Sequence, residues 1–465
     1  METGRAGYGS TLALASLSLA MLLSTLGISV ANIALPALAT AFGAAFQDVQ
    51  WVVLTYLLAI TTLIVGAGRL GDRYGRRRIL AAGLVLHMAG ALLAGLAPSL
   101  DWLVAARVVQ GTGAAAMMAL SVAMVGQAVP KAHTGRAMGL LGTMSAIGTA
   151  SGPSLGGLLI AEAGWRSIFL VNLPLGLVAL VLVLRVLPRE RAGEAATGGG
   201  FDIAGTVVLA LSLGAYALSM TLGRGDFGAM NLALLAGAAA GLGVFAAVER
   251  RAASPLVRLS LFRDRGLRAG LVTSALVSTV MMATLVVGPF HLSAGLGLDM
   301  ALVGLAVSVG PVVAALAGVP AGRLTDRFGS RRMSITGLVG VTAGCAAIAL
   351  LPSSLGLPGY VLPLVAVTAG YALFQTANNT AVMAGVAAER RGLVSGLLNL
   401  SRNLGLVTGA SAMGAVFAVA VGGGGIEQAA AAEIVDGTHL TFAVAAALAG
   451  LALLVALGGW RRWRG

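Results

Sequence analysis

Gly68-Arg-Leu-Gly-Asp72-Arg73-Tyr-Gly-Arg76-Arg77-Arg78 returns 254 residues later as Gly322-Arg-Leu-Thr-Asp326-Arg327-Phe-Gly-Ser-Arg331-Arg332. Each copy joins two long apolar stretches, and each is the second such junction in its part of the chain. One basic loop between apolar stretches is no more than a topology signal. Two copies at matching positions mean that a whole multi-span unit has been duplicated, as in transporters built from repeats. Glycine at 68 and 322 lets two helices approach closely. Asp72 and Asp326 stand where a short turn can aim a carboxylate at a helix N-terminus or a neighbouring arginine. Gly68, Asp72, Arg73, Arg76, Gly322, Asp326 and Arg327 are therefore read as gating residues.

The rest of the chain supports a membrane reading. Of 465 residues, 58% are apolar and 10% charged, and the mean hydropathy is +0.94. Soluble domains carry about 45–50% apolar and about 25% charged residues. Soluble enzymes, disordered proteins and secreted disulfide scaffolds are thereby excluded. The single cysteine, Cys345, allows no internal bridge. The 67 glycines suit closely packed transmembrane helices. Spans of about 20 apolar residues are read at 10–35, 50–68, 79–98, 102–128, 137–160, 167–187, 203–222, 229–248, 269–292, 300–322, 334–352, 358–384, 393–421 and 439–459. The first is too long for a signal peptide and is followed by Pro36. The expected fold is an all-α integral membrane protein of 14 transmembrane helices: two pseudo-symmetric six-helix bundles (1–188 and 267–465) and two inserted helices with an interfacial linker (189–266). Substrate would bind at the bilayer midplane between the bundles, which rock to alternate access.

Arginine placement orients the chain. With both termini cytoplasmic, 26 of the 30 Lys and Arg fall in cytoplasmic segments, while Asp48, Asp101, Glu162, Asp226, Asp299, Glu427, Glu433 and Asp436 lie on the opposite side. This is the positive-inside pattern. The net charge of +13 then reflects topology and an anionic lipid surface inside, not nucleic acid. The expected location is a bacterial plasma (inner) membrane, with a multi-pass monomer. The outer loop 422–438 opens on four glycines.

The repeated loops resemble the signature between the second and third helices of the major facilitator superfamily. Leu103-Val-Ala-Ala-Arg107-Val-Val-Gln110-Gly111-Thr-Gly113 resembles its fourth-helix motif, and Gly148-Thr-Ala-Ser-Gly152-Pro153-Ser-Leu-Gly156-Gly157 its antiporter fifth-helix motif. Gln50-Trp51, Thr55-Tyr56, Trp165-Arg166 and Asn172-Leu-Pro174 are similar to the fourteen-span drug:proton antiporter branch. The resemblance implies export of small amphipathic compounds by proton antiport. It also implies that Gly148, Gly152, Pro153 and Gly156 form a face that packs on span 10 and seals the outer side. In two places the chain departs from the branch. The usual helix-1 aspartate is Gly27, in Gly27-Ile-Ser-Val-Ala-Asn32-Ile-Ala-Leu-Pro36. Where the branch often has Arg-Gln, this chain has Arg402-Asn403.

No acidic residue falls in the middle of a span, whereas Arg107 and Arg402 fall within spans. Charges at membrane depth are expensive and mark function. In the superfamily the cavity is lined by the first and fourth helices of each half, here spans 1, 4, 9 and 12. Cavity candidates are Asn32, Arg107, Gln110, His291, Gln375, Asn378 and Asn379, with Arg402. Any of them could instead be an ordinary helix–helix hydrogen bond. His87, on span 3, reads as structural. Proton-coupling candidates are His291, whose residue type titrates nearest neutrality, Arg107, Asp48, Asp101 and Glu162. Without a mid-span carboxylate, neutral, zwitterionic or anionic amphiphiles are the expected substrates. There is no phosphate loop, no metal-ligand spacing and no nucleophile–base arrangement. The chain thus reads as no enzyme, with no cofactor and the proton gradient as energy source. Two other functions compete: a facilitator or importer of one metabolite without proton antiport, and a transport-inactive membrane sensor.

Overall fold

A computed structural model of the chain describes residues 2–44, 46–188, 202–221, 228–252, 255, 257, 259–422 and 429–460. Seventeen helices appear in chain order among them, and no strand. The first ten are α1 (Glu2–Ile33), α2 (Leu35–Phe42), α3 (Phe46–Tyr74), α4 (Arg76–Gly95), α5 (Leu100–Ala128), α6 (Thr134–Ala163), α7 (Ser167–Leu170), α8 (Asn172–Val186), α9 (Ile203–Thr221) and α10 (Ala229–Arg251). The remainder are α11 (Arg265–Val286), α12 (Gly288–Phe290), α13 (Met300–Phe328), α14 (Ser330–Leu350), α15 (Gly356–Ala384), α16 (Arg391–Val421) and α17 (Ala431–Trp460). Twelve helices among the described residues are long and apolar enough to cross a membrane. The expectation from sequence is fourteen. In α9 the apolar stretch Ala204–Met220 is shorter than the other spans. The helix α6 is 30 residues long, and its side chains at 150, 153 and 154 lie outside the described residues. The loop residues 423–428, the linker 189–201 and the terminal Arg461, Arg462 and Arg464 also lie outside them. Apolar side chains cover the outside: Leu316 is 71% and Val419 82% exposed, as suits a lipid-facing surface.

Packing divides the chain into two compact units. The first comprises Met1–Leu211, Ala247–Val257 and Met383–Leu400; the second comprises Ser212–Ala246, Arg258–Val382 and Ser401–Gly465. Boundaries at 188 and 266 follow chain order, whereas these units follow contact. The first half of α16 joins the first unit because Ser395 donates to the Ala119 carbonyl of α5 and Gly396 faces the Ile64 carbonyl of α3. The inserted pair is shared between units: Thr206 of α9 faces Gly66 of α3 in the first, while Tyr216 of α9 bonds Thr408 of α16 in the second.

Both copies of the repeated loop make the same turn. Helix α3 ends at Gly75 (φ 103°) and α13 at Gly329 (φ 85°), each followed at once by the next helix. A side chain at either position would strain that left-handed turn, so the eighth residue of the motif sets the helix–helix corner. Other ends are capped by side chains: Ser99 accepts from Trp102 N at 3.3 Å, and Asp264 from Leu267 N at 2.9 Å. The interfacial linker expected within 189–266 follows α10, whose last turn holds Glu249. There Glu249 is buried and its Oε2 accepts from Val257 N at 3.1 Å.

Candidate functional site

The repeated loop builds a polar clasp in the first unit. Asp72, on the last turn of α3, accepts from Gly392 N (2.8 Å) through Oδ1 and from Leu393 N (2.8 Å) through Oδ2. These are orphan amides of the first turn of α16, where the helix dipole adds attraction for an anion. Arg76 holds the same carboxylate through Nη2 at 2.7 Å and Nε at 3.0 Å, and also donates to the Ala388 carbonyl. Gly68 makes the approach possible, because a Cβ there would strike the Gly392 carbonyl. Arg77 is buried and donates to the Val183 (3.3 Å) and Leu184 carbonyls near the C-terminal end of α8. Arg73 stacks on Tyr74 at 5.3 Å, and Arg327 on Phe328 at 5.2 Å. In the second copy Gly322 is buried and Asp326 exposed.

A second polar cluster lies inside the first unit, where α1, α3, α4, α5 and α8 meet. Arg107 is fully buried. Its Nε donates to Val52 O (2.8 Å), Nη1 to Gln110 Oε1 (2.6 Å) and Nη2 to Gly27 O (2.8 Å). Its guanidinium lies 4.0 Å from the Tyr56 ring centroid, a cation–π contact in a dry site. None of its partners is a carboxylate. Tyr56 Oη donates to Ser24 O of α1 at 2.8 Å. His87 Nδ1 stands 3.3 Å from Gln110 O, and its Nε2 stands 3.5 Å from both Asn172 Oδ1 and Gln110 Nε2. Asn172 is anchored by donating to Ile168 O and Phe169 O, both at 3.1 Å. A Cβ on Gly27 would lie 2.9 Å from Tyr56 Oη and 3.5 Å from His87 Cε1. The position usually held by an aspartate in the resembling branch thus opens into this cluster.

The sequence singled out Arg107, Gln110 and Gly27 but left His87 apart as structural. Its place beside Gln110 follows from close α4–α5 packing, since a Cβ on Gly90 or Gly113 would strike the backbone of the facing helix. Gly83, Gly90 and Gly113 carried that signal in the sequence.

The remaining candidates are scattered. Gly148 faces Thr25 Oγ1 and the Leu22 carbonyl, and Gly152 faces Ser29, all on α1. Ser29 itself donates to Thr149 O at 2.5 Å. The expectation from resemblance was packing on span 10; the nearest atoms come from α1. Gly156 is buried, and the Pro153 side chain lies outside the described residues. Asn32 is exposed and donates to Ile28 O at 3.4 Å. Asp48 and Asp101 are exposed in the first turns of α3 and α5, and Glu162 is exposed near the end of α6.

In the second unit His291 is buried at the start of a π-turn, His291–Gly295, that follows Pro289. Its ring stacks on Tyr360 at 5.4 Å, and its Nδ1 has no hydrogen-bond partner. Asn378 ties α15 to α11 by donating to Gly270 O at 3.0 Å. Gln375 Oε1, Asn379 Oδ1 and Arg402 Nε are buried without partners among the described residues.

Comparison with known proteins agrees with this architecture. The chain is 33% identical over 418 residues to the multidrug resistance protein Stp of Mycobacterium tuberculosis, covering 88% of this chain and 76% of that protein. It is 33% identical over 411 residues to the uncharacterized transporter YebQ of Escherichia coli (87% and 88% covered). It is 29% identical over 396 residues to the riboflavin transporter RibZ of Clostridioides difficile (85% and 86% covered). In fold it is similar to the proton:xylose symporter XylE, with a TM-score of 0.69 at 14% identity, covering 96% of this chain and 95% of that one. The family model described as Major Facilitator Superfamily matches residues 17–410. By that match and by these relatives, the chain belongs to the major facilitator superfamily and is a multi-pass membrane transporter.

Proposed function

We propose that the chain is a fourteen-span exporter of small amphipathic compounds, of the drug:proton antiporter branch, driven by the proton gradient. The observation that carries this reading is the clasp of Asp72 on the first turn of α16. It joins elements from the two sequence repeats by a few polar contacts, and such contacts can break and remake in each transport cycle. Relatives named as multidrug resistance and efflux proteins point the same way. The two helices that complete fourteen are α6 and α9. Both termini face the cytoplasm, where anionic headgroups meet the arginines, and the chain acts as a monomer without a cofactor. His291 is the proposed proton carrier, buried at a π-turn with one ring nitrogen unpartnered. Exposed Asp48, Asp101 and Glu162 are secondary candidates, and Arg107 is the fixed charge that tunes the cavity. Uptake of a fluorescent amphiphile into inverted vesicles tests the whole reading. Uptake should need an acid-inside gradient and collapse when the gradient is dissipated.

A second reading has one specific support on each side. Gly27 removes the usual carboxylate, and one relative is named a riboflavin transporter. On that reading the chain moves one metabolite without proton antiport, and vesicle uptake would persist with no gradient.

A further inference from the structure

We infer that α11, α15 and α16 carry a hydrogen-bonding subsite in the second unit for a planar amide or imide edge, an N–H flanked by carbonyl oxygen, on an uncharged or anionic ligand. The inference rests on the transport reading above and narrows its substrate class.

The level of the subsite is set by two successive carbonyls of α11. Asn378 of α15 donates to Gly270 O, and Ser401 of α16 donates to Leu271 O. Both helices therefore flank α11 at one height. The next residue in each helix is a polar group left alone: Asn379 with Oδ1, and Arg402 with Nε, unpartnered. Gln375 lies one turn before Asn379 on the same face of α15, and its Oε1 is unpartnered as well. On α11, Ser274 lies one turn beyond Gly270, and its hydroxyl is buried without a partner. These four unmet polar atoms, with a fifth at Ser278 Oγ one turn further along α11, contrast with the cluster around Arg107, whose side-chain donors and carbonyls meet one another. Buried polar groups are normally satisfied, so a set that is not calls for a partner from outside the chain, a water, an ion or a ligand.

Their chemistry selects that partner. A carboxamide end offers an acceptor and a donor in one plane, so two of them one turn apart read a group that itself carries both. Arg402 adds a donor and positive potential. No Asp or Glu occurs anywhere in α11, α15 or α16. A lipophilic cation without N–H groups would leave all four atoms unmet and add like charge beside Arg402. Sites built to hydrogen-bond a ligand N–H reject analogues that lack it far more strongly than apolar pockets reject a missing methylene.

The test uses the purified full-length protein in detergent with riboflavin, whose ring imide has this edge, and 3-methylriboflavin, in which that N–H is replaced. Binding is read by flavin fluorescence quenching, with tetraphenylphosphonium as a probe without hydrogen-bonding groups and thermal unfolding as the folding control. Wild type should bind riboflavin at least about tenfold more tightly than 3-methylriboflavin, the size expected when buried polar groups lose a partner. Asn379→Leu and Gln375→Leu should bring riboflavin down to the level of the methylated compound while leaving that compound and the unfolding midpoint unchanged. Arg402→Gln should weaken both flavins. Equal affinity of wild type for the two flavins, no riboflavin binding, or variants that keep the ratio would each overturn the subsite. Flavin discrimination in detergent without gradient-driven flux in vesicles would sink the export reading and leave the subsite standing. Gradient-driven flux of tetraphenylphosphonium without flavin discrimination would do the reverse.

Discussion

Arg107 holds three buried acceptors at once, Val52 O, Gln110 Oε1 and Gly27 O. Removing it leaves Gln110 Oε1 without its donor, at a cost of about 1–3 kcal/mol, while the Val52 and Gly27 carbonyls keep their helical amides. Arg107→Ala is therefore expected to lower stability by about 1–3 kcal/mol. Arg107→Lys should recover part of that, since it keeps the charge but not the planar fork. Thermal denaturation in detergent measures both, and an unchanged midpoint for Arg107→Ala would refute the structural role. Gly27 poses the complementary question. A Cβ there meets Tyr56 Oη at 2.9 Å, so any side chain requires Tyr56 to give way. An aspartate would still be drawn to Arg107, which has no carboxylate partner of its own. Gly27→Asp is expected to add export of lipophilic dications, and the isosteric Gly27→Asn is not. Susceptibility of an efflux-deficient host to bis-quaternary compounds decides it, and equal protection by the two variants would count against a charge effect.

Helices α3 and α16 cross where glycines bring backbones together, and Asp72 fastens the crossing. Hydrogen bonds to a charged group are worth about 1.5–3 kcal/mol, and about 1.4 kcal/mol changes a population tenfold. Asp72→Asn should open the clasp by roughly an order of magnitude in population. The reporter is Ala388→Cys, exposed at the turn before α16, in a chain whose native Cys345 is buried. Labelling by an impermeant maleimide in inverted vesicles should speed up in the Asp72→Asn background and transport should fall. Identical labelling rates would remove the gate assignment. The α1–α6 crossing is likewise packed through glycines, Gly148 and Gly152, against α1. Gly152→Leu must displace Ser29 and its bond to Thr149 O, so loss of folded protein as well as transport is expected. Folded Gly152→Leu protein with normal flux would show that this face is not packed as described.

For the molecule as a whole, the placement of charge limits what can be carried. Of the two arginines in the middle of spans, Arg107 is fully buried with only carbonyl and amide partners, and Arg402 is half-buried with an unpartnered Nε. A dication entering such surroundings would need a carboxylate partner, because an uncompensated buried charge costs several kcal/mol. Wild-type chain is expected to protect cells against neutral, zwitterionic or anionic amphiphiles and not against divalent biguanides. Protection against chlorhexidine equal to that against a neutral amphiphile would contradict this. Coupling is tested separately. His291→Gln should abolish gradient-driven uptake in inverted vesicles while changing the unfolding free energy by no more than about 1 kcal/mol, the usual scale for a single hydrogen bond. Undiminished gradient-driven uptake in that variant would move the proton to a carboxylate at a span end.

Hydropathy, arginine placement and the loop at 68 and 322 were enough to establish an all-helical, multi-span membrane transporter of the major facilitator superfamily, because burial in lipid and loop charge act locally along the chain. Candidate polar residues could be found the same way, since any polar group in an apolar run is conspicuous. Which of them have partners could not. Arg107 and Arg402 look alike in sequence, yet one is enclosed by Gly27, Val52 and Gln110 and the other keeps an unpartnered Nε. His87 joins the Arg107 cluster through the rotation of α4 against α5, and Asp72 finds its amides on a helix 320 residues away. Hydrogen-bond satisfaction depends on helix rotation and approach to within fractions of an ångström, and those are settled by the packing of distant glycines, which only the tertiary structure brings together.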